Sequence, residues 1–226
     1  MNLTLYGYYR SSASWRVRIA LALKGLPYTS IPVHLVRDGG EQHHDAYRAL
    51  NPMREVPTLD VDGVPVAQSI AIIELLNELA PDPPLLPESP LGRAHVRQVA
   101  EVINASIQPV QNLRVLQKLD ADFGAGTDGK AAWAAHWIRS GFDGLEPLIA
   151  RHAGAYAYGD QITIADLCLV PQVYNARRFN VDLAPYPTIH AVDARLAEHP
   201  AFITAHPEAQ PDAPGKNTTV GSGGVN

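Results

Sequence analysis

Three hydroxyls, Ser11, Ser12 and Ser14, fall between a short apolar run, Leu3 to Tyr9, and a stretch with apolar Ile19, Leu21, Ala22 and Leu23. The run reads as a strand and the stretch from Ser12 to Lys24 as a helix. The hydroxyls therefore sit where a helix begins, among backbone N–H groups that lack an intrahelical acceptor and at the positive end of the dipole. Such a helix start favours an anion, a thiolate included. No cysteine lies in the segment, so a thiolate held there must come from a ligand. The other reading, that the serines are simple helix caps, stays open at this point.

The elements that would position these groups follow in order. Gly25-Leu26-Pro27 closes the first helix, and Tyr28 to Val33 reads as a second strand, parallel to the first if the helix is a crossover. Arg37 to His44 is polar and aperiodic, a loop leading to a short helix at 45–50. Val56 to Asp60 and Val64 to Ala67 flank Asp62-Gly63 as a hairpin, after which Ser69 is expected to cap a helix over 70–79. Five prolines lie between Pro81 and Pro90, which excludes helix or central strand and marks a linker. Beyond it the periodicity is helical, over 91–119 and 129–152, then from a capping box at Thr163 and Asp166 to Tyr174, then over 192–198. The layout predicts an α/β thioredoxin-like N-terminal domain, 1–80, a linker, 81–90, and an all-α C-terminal domain, 91–212, with a Gly-rich disordered tail, 213–226.

Composition narrows the function. Apolar residues make up 46% and charged residues 18%, an ordinary globular balance, and the net charge of −5 argues against nucleic acid or a membrane surface as partner. The basic residues are 14 arginines and 4 lysines. Arginine's planar fork suits carboxylates, although a genome rich in GC gives the same bias. The single cysteine, Cys168, lies in an apolar helical run and reads as packing; it excludes an internal disulfide and any two-cysteine redox couple. His43 and His44 have no partners at ligand spacing, so no metal is expected. No apolar run reaches the roughly 18 residues of a membrane span, and no leader pattern opens the chain, so the expected location is cytoplasmic.

Several motifs in order now carry a resemblance. Ser11-Ser12-Ala13-Ser14-Trp15-Arg16-Val17-Arg18 resembles the active-site motif of the zeta class of glutathione transferases, and Asn51-Pro52 through Val56-Pro57 resembles its Asn-Pro-x-x-x-Val-Pro loop. Gln68-Ser69 is similar to its glutathione-carboxylate site, and Gln108 to Leu116 to its signature in the helical domain. The match runs from residue 1 to about residue 200 and implies the glutathione transferase architecture. Two positions depart from the pattern: Ala13 stands where the animal enzymes carry cysteine, which leaves only serine chemistry, and Glu55 stands where glutamine is common.

The resemblance implies glutathione as cofactor. Ser11 would donate to its thiolate with Ser12 as a second contact; Val56, preceding a cis proline, would pair with its cysteinyl backbone; Gln68 and Ser69 would take the γ-glutamyl carboxylate; and Gln42 would line the glycyl end. Gln108 and Asn112 would add contacts from the helical domain. The implied activity is isomerisation of maleylacetoacetate or maleylpyruvate to the fumaryl isomer, in aromatic catabolism. That dicarboxylate-like substrate calls for cations: Arg10, Arg114 and one of Arg177 and Arg178, with Arg177 preferred. Ion pairing on a solvated face is the competing role for each arginine. A homodimer is implied too. The alternatives are a transferase that conjugates or dehalogenates electrophiles and a non-catalytic binding module on the same fold.

Overall fold

The computed structural model describes residues 1–216. The first unit, Met1–Glu74 joined by the segment from Pro200, holds a four-stranded sheet in the order β2-β1-β3-β4, with β1 (Leu3–Gly7), β2 (Thr29–Pro32), β3 (Thr58–Val61) and β4 (Val64–Ala67). β2 runs parallel to β1, while β3 is antiparallel to both β1 and β4. The parallel pair is joined by α1 (Ser12–Leu23), whose Val17, Ile19 and Leu21 are fully buried with Leu5 and Leu59 of the sheet. This is the thioredoxin-like arrangement expected from the alternation of strand and helix. α2 (Asp45–Leu50) and α3 (Ser69–Leu79) complete the order up to the second unit.

The second unit, Leu75–His199, is helical: α4 (Pro90–Glu101), α5 (Leu113–Phe123), α6 (Gly126–Ala150), α7 (Ile164–Arg178) and α8 (Pro187–Leu196). Ile138, Phe142, Leu167, Cys168 and Val173 form part of its buried core, so Cys168 packs as expected. Gly141 is required by close approach, since a Cβ there would lie 2.3 Å from the Ile107 side chain. No helix among the described residues is long and apolar enough to cross a membrane.

Three differences from the sequence reading have physical causes. The helix expected over 91–119 breaks into α4, a π turn at Val102–Ile107, a 3₁₀ turn at Pro109–Gln111 and α5. Pro109 has no N–H to continue an α ladder, and the Gln108 N–H reaches back five residues to the Ile103 carbonyl at 2.9 Å. The proline-rich stretch is anchored in the helical unit: Leu85 is buried, its N–H donates to Asn77 Oδ1 at 2.9 Å, and its carbonyl accepts from Ile164 at 3.0 Å. Residues 200–212, expected to close the helical domain, group with the first unit and carry a further helix, α9 (Pro200–Ala205). Of the predicted tail, 213–216 are described and Ala213 is buried; 217–226 lie outside the described residues.

The predicted capping box is present at α7. Asp166 is fully buried and accepts from the Ala157 N–H at 2.8 Å, the Thr163 N–H at 2.8 Å and the Thr163 hydroxyl at 2.9 Å. Burial pushes its carboxyl up from 3.8 to about 6, against the pull of these donors. The native state thus holds a proton over a range where the unfolded chain has lost it. Stability from this group is full below the unfolded value of 3.8 and is lost as pH rises through about 6. Denaturation midpoints followed from pH ~4 to ~7 should fall in the wild type relative to Asp166→Asn, which cannot ionise. A wild type that gains stability over the variant across that range would contradict this assignment.

Candidate active site at one end of the sheet

Strand register brings the predicted segments together. Tyr6 pairs with Thr58, and Thr58 with Ala67, so the chain on either side, Tyr8 to Ser11, Val56-Pro57 and Gln68-Ser69, leaves the sheet at the same end. β2 runs out at that end as well, because Gly7 pairs with Pro32 in parallel. The loop carrying Gln42 follows from there.

Ser11 is the N-cap of α1, with extended backbone angles, and its Oγ accepts from the Ser14 N–H at 3.2 Å. The cap and anion readings are compatible. A hydroxyl accepts through its lone pairs and still has its own proton to donate, so capping leaves Ser11 free to serve an anion in front of the helix. Ser12 follows as the first helical residue and is 8% exposed. The neighbouring phenol of Tyr8 is buried and pushed up to about 12, first by burial and then by its bond with Tyr9, so it stays neutral at physiological pH.

The Val56-Pro57 peptide is cis, as the resemblance implied. The Glu55 carbonyl just before it accepts from the Tyr47 hydroxyl at 2.6 Å and the Asn51 amide at 2.7 Å. Asn51 is 2% exposed, which accounts for the asparagine in the Asn-Pro loop: it is the donor that pins the turn. Gln42 is buried, and its Nε2 donates to the Leu35 carbonyl at 3.3 Å and lies 3.1 Å from the His43 ring. Its Oε1 is buried with no protein partner, an acceptor suited to a ligand N–H. Gly40 makes room for it, since a Cβ there would come 2.5 Å from Gln42 Nε2.

The expected cap of α3 shifts by one residue. The Gln68 carbonyl accepts from Ile72, and Gln68 itself has a positive φ of 73°, so Gln68 holds the cap position and Ser69 is the first helical residue. The Ser69 hydroxyl is 4% exposed and accepts from Arg16 Nη1 at 3.3 Å. Arg16 is completely buried, placing a guanidinium behind the start of α3. Arg18, 4% exposed, donates to the carbonyls of Tyr9 and Ala205 at 2.8 and 3.1 Å. Arg10 is half-buried with its guanidinium 5.9 Å from the Tyr9 ring centre. Sequence reasoning did not assign functions to Arg16 and Arg18, although two arginines inside an apolar helix are themselves a signal, because a buried charge needs partners.

The remaining predicted residues lie in the helical unit. Gln108 and Asn112 bracket the 3₁₀ turn, and Asn112 is the N-cap of α5, which puts exposed Arg114 in its first turn. Gln111 and Gln172, both buried, bond to each other at 3.1 Å. Arg177, the preferred member of its pair, is tied to Asp193 in an ion pair whose carboxylate is 4% exposed. Burial raises the Asp193 pKa while Arg177 opposes the rise. Arg178 has its guanidinium 5.0 Å over the Phe179 ring. A cavity of about 160 Å³ in this unit is lined by His95, His152, Arg151 and Tyr158 and by none of the predicted residues. Among the described residues no group of three or more His, Cys, Asp or Glu could hold a metal.

Comparison with known proteins gives this geometry a family. Residues 10–79 match the glutathione S-transferase N-terminal domain. Maleylacetoacetate isomerase of Mus musculus is 48% identical over 95% of this chain and 97% of its own. A holo structure of maleylpyruvate isomerase, a bacterial glutathione S-transferase of the zeta class, is 48% identical with a TM-score of 0.90, over 93% of this chain and 99% of that one. Maleylacetoacetate isomerase from Anaeromyxobacter dehalogenans, with dicarboxyethyl glutathione and citrate bound in its active site, is 43% identical with a TM-score of 0.83, over 94% and 98%. With its hydroxyl-capped α1, its pinned cis-proline turn and its near full-length identity to these enzymes, the chain belongs to the zeta-class glutathione transferase family of maleylacetoacetate and maleylpyruvate isomerases.

Proposed function

We infer that the chain is a glutathione-dependent cis–trans isomerase, converting maleylacetoacetate or maleylpyruvate to the fumaryl isomer in aromatic catabolism. The observation that carries this is the Ser11 hydroxyl at the N-terminus of α1, in a chain that matches isomerases of both substrates over nearly its whole length. The first unit fits glutathione on its own chemistry. It presents a hydroxyl donor at a helix start, an unpartnered buried acceptor on Gln42, and Ser69 backed by a guanidinium.

Glutathione, when bound, supplies a thiolate that adds to the conjugated double bond and leaves after rotation, so it is not consumed. Ser11 holds the thiolate by its O–H, aided by Ser12 and the α1 dipole; each pKa unit of lowering corresponds to about 1.4 kcal/mol. The Val56 backbone pairs with the cysteinyl peptide as an added strand. By the resemblance, Gln68 and Ser69 would receive the γ-glutamyl carboxylate, Gln42 would meet the glycyl end, and Gln108 and Asn112 would add contacts. On the same ground, Arg10 and Arg114 would hold the substrate's carboxylates and offset the negative charge that develops during addition. The bond from Arg177 to the buried Asp193 carboxylate gives that arginine a structural role, and we assign the remaining cation to the other member of the pair, Arg178. The resemblance also carries a homodimer and a cytoplasmic location, the first of which light scattering would check.

Isomerisation of both substrates followed by ultraviolet absorbance should require glutathione and fall at least about tenfold in Ser11→Ala, the loss of roughly 1.4 kcal/mol. Turnover of neither substrate, with glutathione binding intact, would point to a conjugating or dehalogenating transferase. Arg114→Ala and Arg178→Ala should raise the substrate KM about tenfold with glutathione KM within about twofold. Arg177→Ala should act on Tm instead. It leaves a buried carboxylate unpaired and should cost about 1–2 kcal/mol, less than the ~3–5 of a fully buried pair because the arginine is half exposed. If Arg177→Ala raises the substrate KM and Arg178→Ala does not, the assignment reverses.

A further inference from the structure

The end of the described chain returns to the catalytic loop. Between Gly7, the last residue of β1, and Ser12, the first of α1, the chain has no ladder of its own. Its peptide groups are held from both sides around Tyr9. Arg18 Nη2 donates to the Tyr9 carbonyl at 2.8 Å and Nη1 to the Tyr8 carbonyl at 3.4 Å, while Nε holds the Ala205 carbonyl at 3.1 Å. On the other side the Tyr9 N–H donates to Asp212 Oδ2 at 2.9 Å, across 203 positions of sequence. The His206 ring meets Trp15 of α1 edge-on at 5.1 Å.

Residues 200–212 are themselves folded. Gln210 is 6% exposed and its amide donates to the carbonyls of Thr204 at 3.0 Å and His206 at 2.9 Å. The segment is thus a stiff strap, not a loose terminus. The Ser11 N–H closes the loop on the Tyr8 carbonyl at 3.0 Å, and the Tyr9 ring carries the Arg10 guanidinium. Whatever fixes the Tyr8 and Tyr9 peptides therefore sets where Arg10 and Ser11 point. Misplacement of a reacting group by about 1 Å is enough to cost a large factor in rate.

We propose that residues 200–212 form a strap that immobilises the Tyr8–Arg10 loop, with Arg18 and Asp212 as positioning residues for Ser11 and Arg10. This rests on the reading of Ser11 and Arg10 as glutathione- and substrate-binding groups. Asp212 is half-buried at the end of the strap, so its variants should fold, which melting curves would check. Hydrogen exchange of the peptide spanning 8–11 and steady-state kinetics are compared in Asp212→Ala and Asp212→Asn. Asp212→Ala should speed exchange of the Tyr9 amide about tenfold and lower kcat/KM about threefold or more. Asp212→Asn, which keeps an acceptor for the Tyr9 N–H, should recover most of both. Unchanged exchange in Asp212→Ala overturns the strap. Faster exchange with unchanged kinetics, or no recovery in Asp212→Asn, overturns its positioning role. A wild type inert toward both isomerase substrates would instead retire the proposed function, and the exchange comparison would still decide the strap.

Discussion

The start of α1 is the constraint on which the site depends. The first turn of a helix leaves backbone N–H groups without acceptors, and in this chain Ser11 satisfies the Ser14 N–H while keeping its own proton to give. Anything bound in front of it meets a hydroxyl donor and a positive dipole end together. That arrangement has value only if it cannot drift. Val17, Ile19 and Leu21 anchor the helix in the core of the sheet, so its N-terminus is set by apolar packing and not by the site itself.

Polar contacts then fix the neighbouring parts against this helix. Arg16 reaches the hydroxyl of Ser69 at the start of α3, and Arg18 ties the loop in front of Ser11 to α9. A guanidinium is suited to this work, because it stays charged when buried and its planar fork serves several acceptors at once. Arg18 is pushed down to about 10 by burial and remains a cation at neutral pH. The Asn-Pro loop is handled separately, with Tyr47 and Asn51 converging on the Glu55 carbonyl. Three of the segments that leave the sheet at this end, after β1, before β3 and after β4, are thereby held by buried donors.

What could be read from sequence was local. The strand–helix alternation, the hairpin around Asp62-Gly63, the Thr163 capping box and the packing role of Cys168 depend on residues within a few positions of one another. Pro109 was equally visible, but the break it forces over 102–112 needed the π turn that hands the Gln108 N–H to Ile103. The partners of Arg16, Arg18 and Tyr9 lie 53, 187 and 203 positions away, and no periodicity reports such pairs. The same holds for Arg177 and Asp193. Both are ordinary helix residues until α7 and α8 are placed side by side. The motif showed that arginines follow the serines, and the structure shows what two of them hold: Arg16 the Ser69 hydroxyl, Arg18 the carbonyls of Tyr9 and Ala205.

The central claim is that the start of α1 stabilises a thiolate, and the most direct test is a spectroscopic titration of the glutathione thiolate bound to the wild-type protein. A free thiol titrates at about 8.5, and the bound thiol should titrate lower by at least about one unit. A bound thiol that titrates as it does in water would contradict it, whatever the rate of isomerisation.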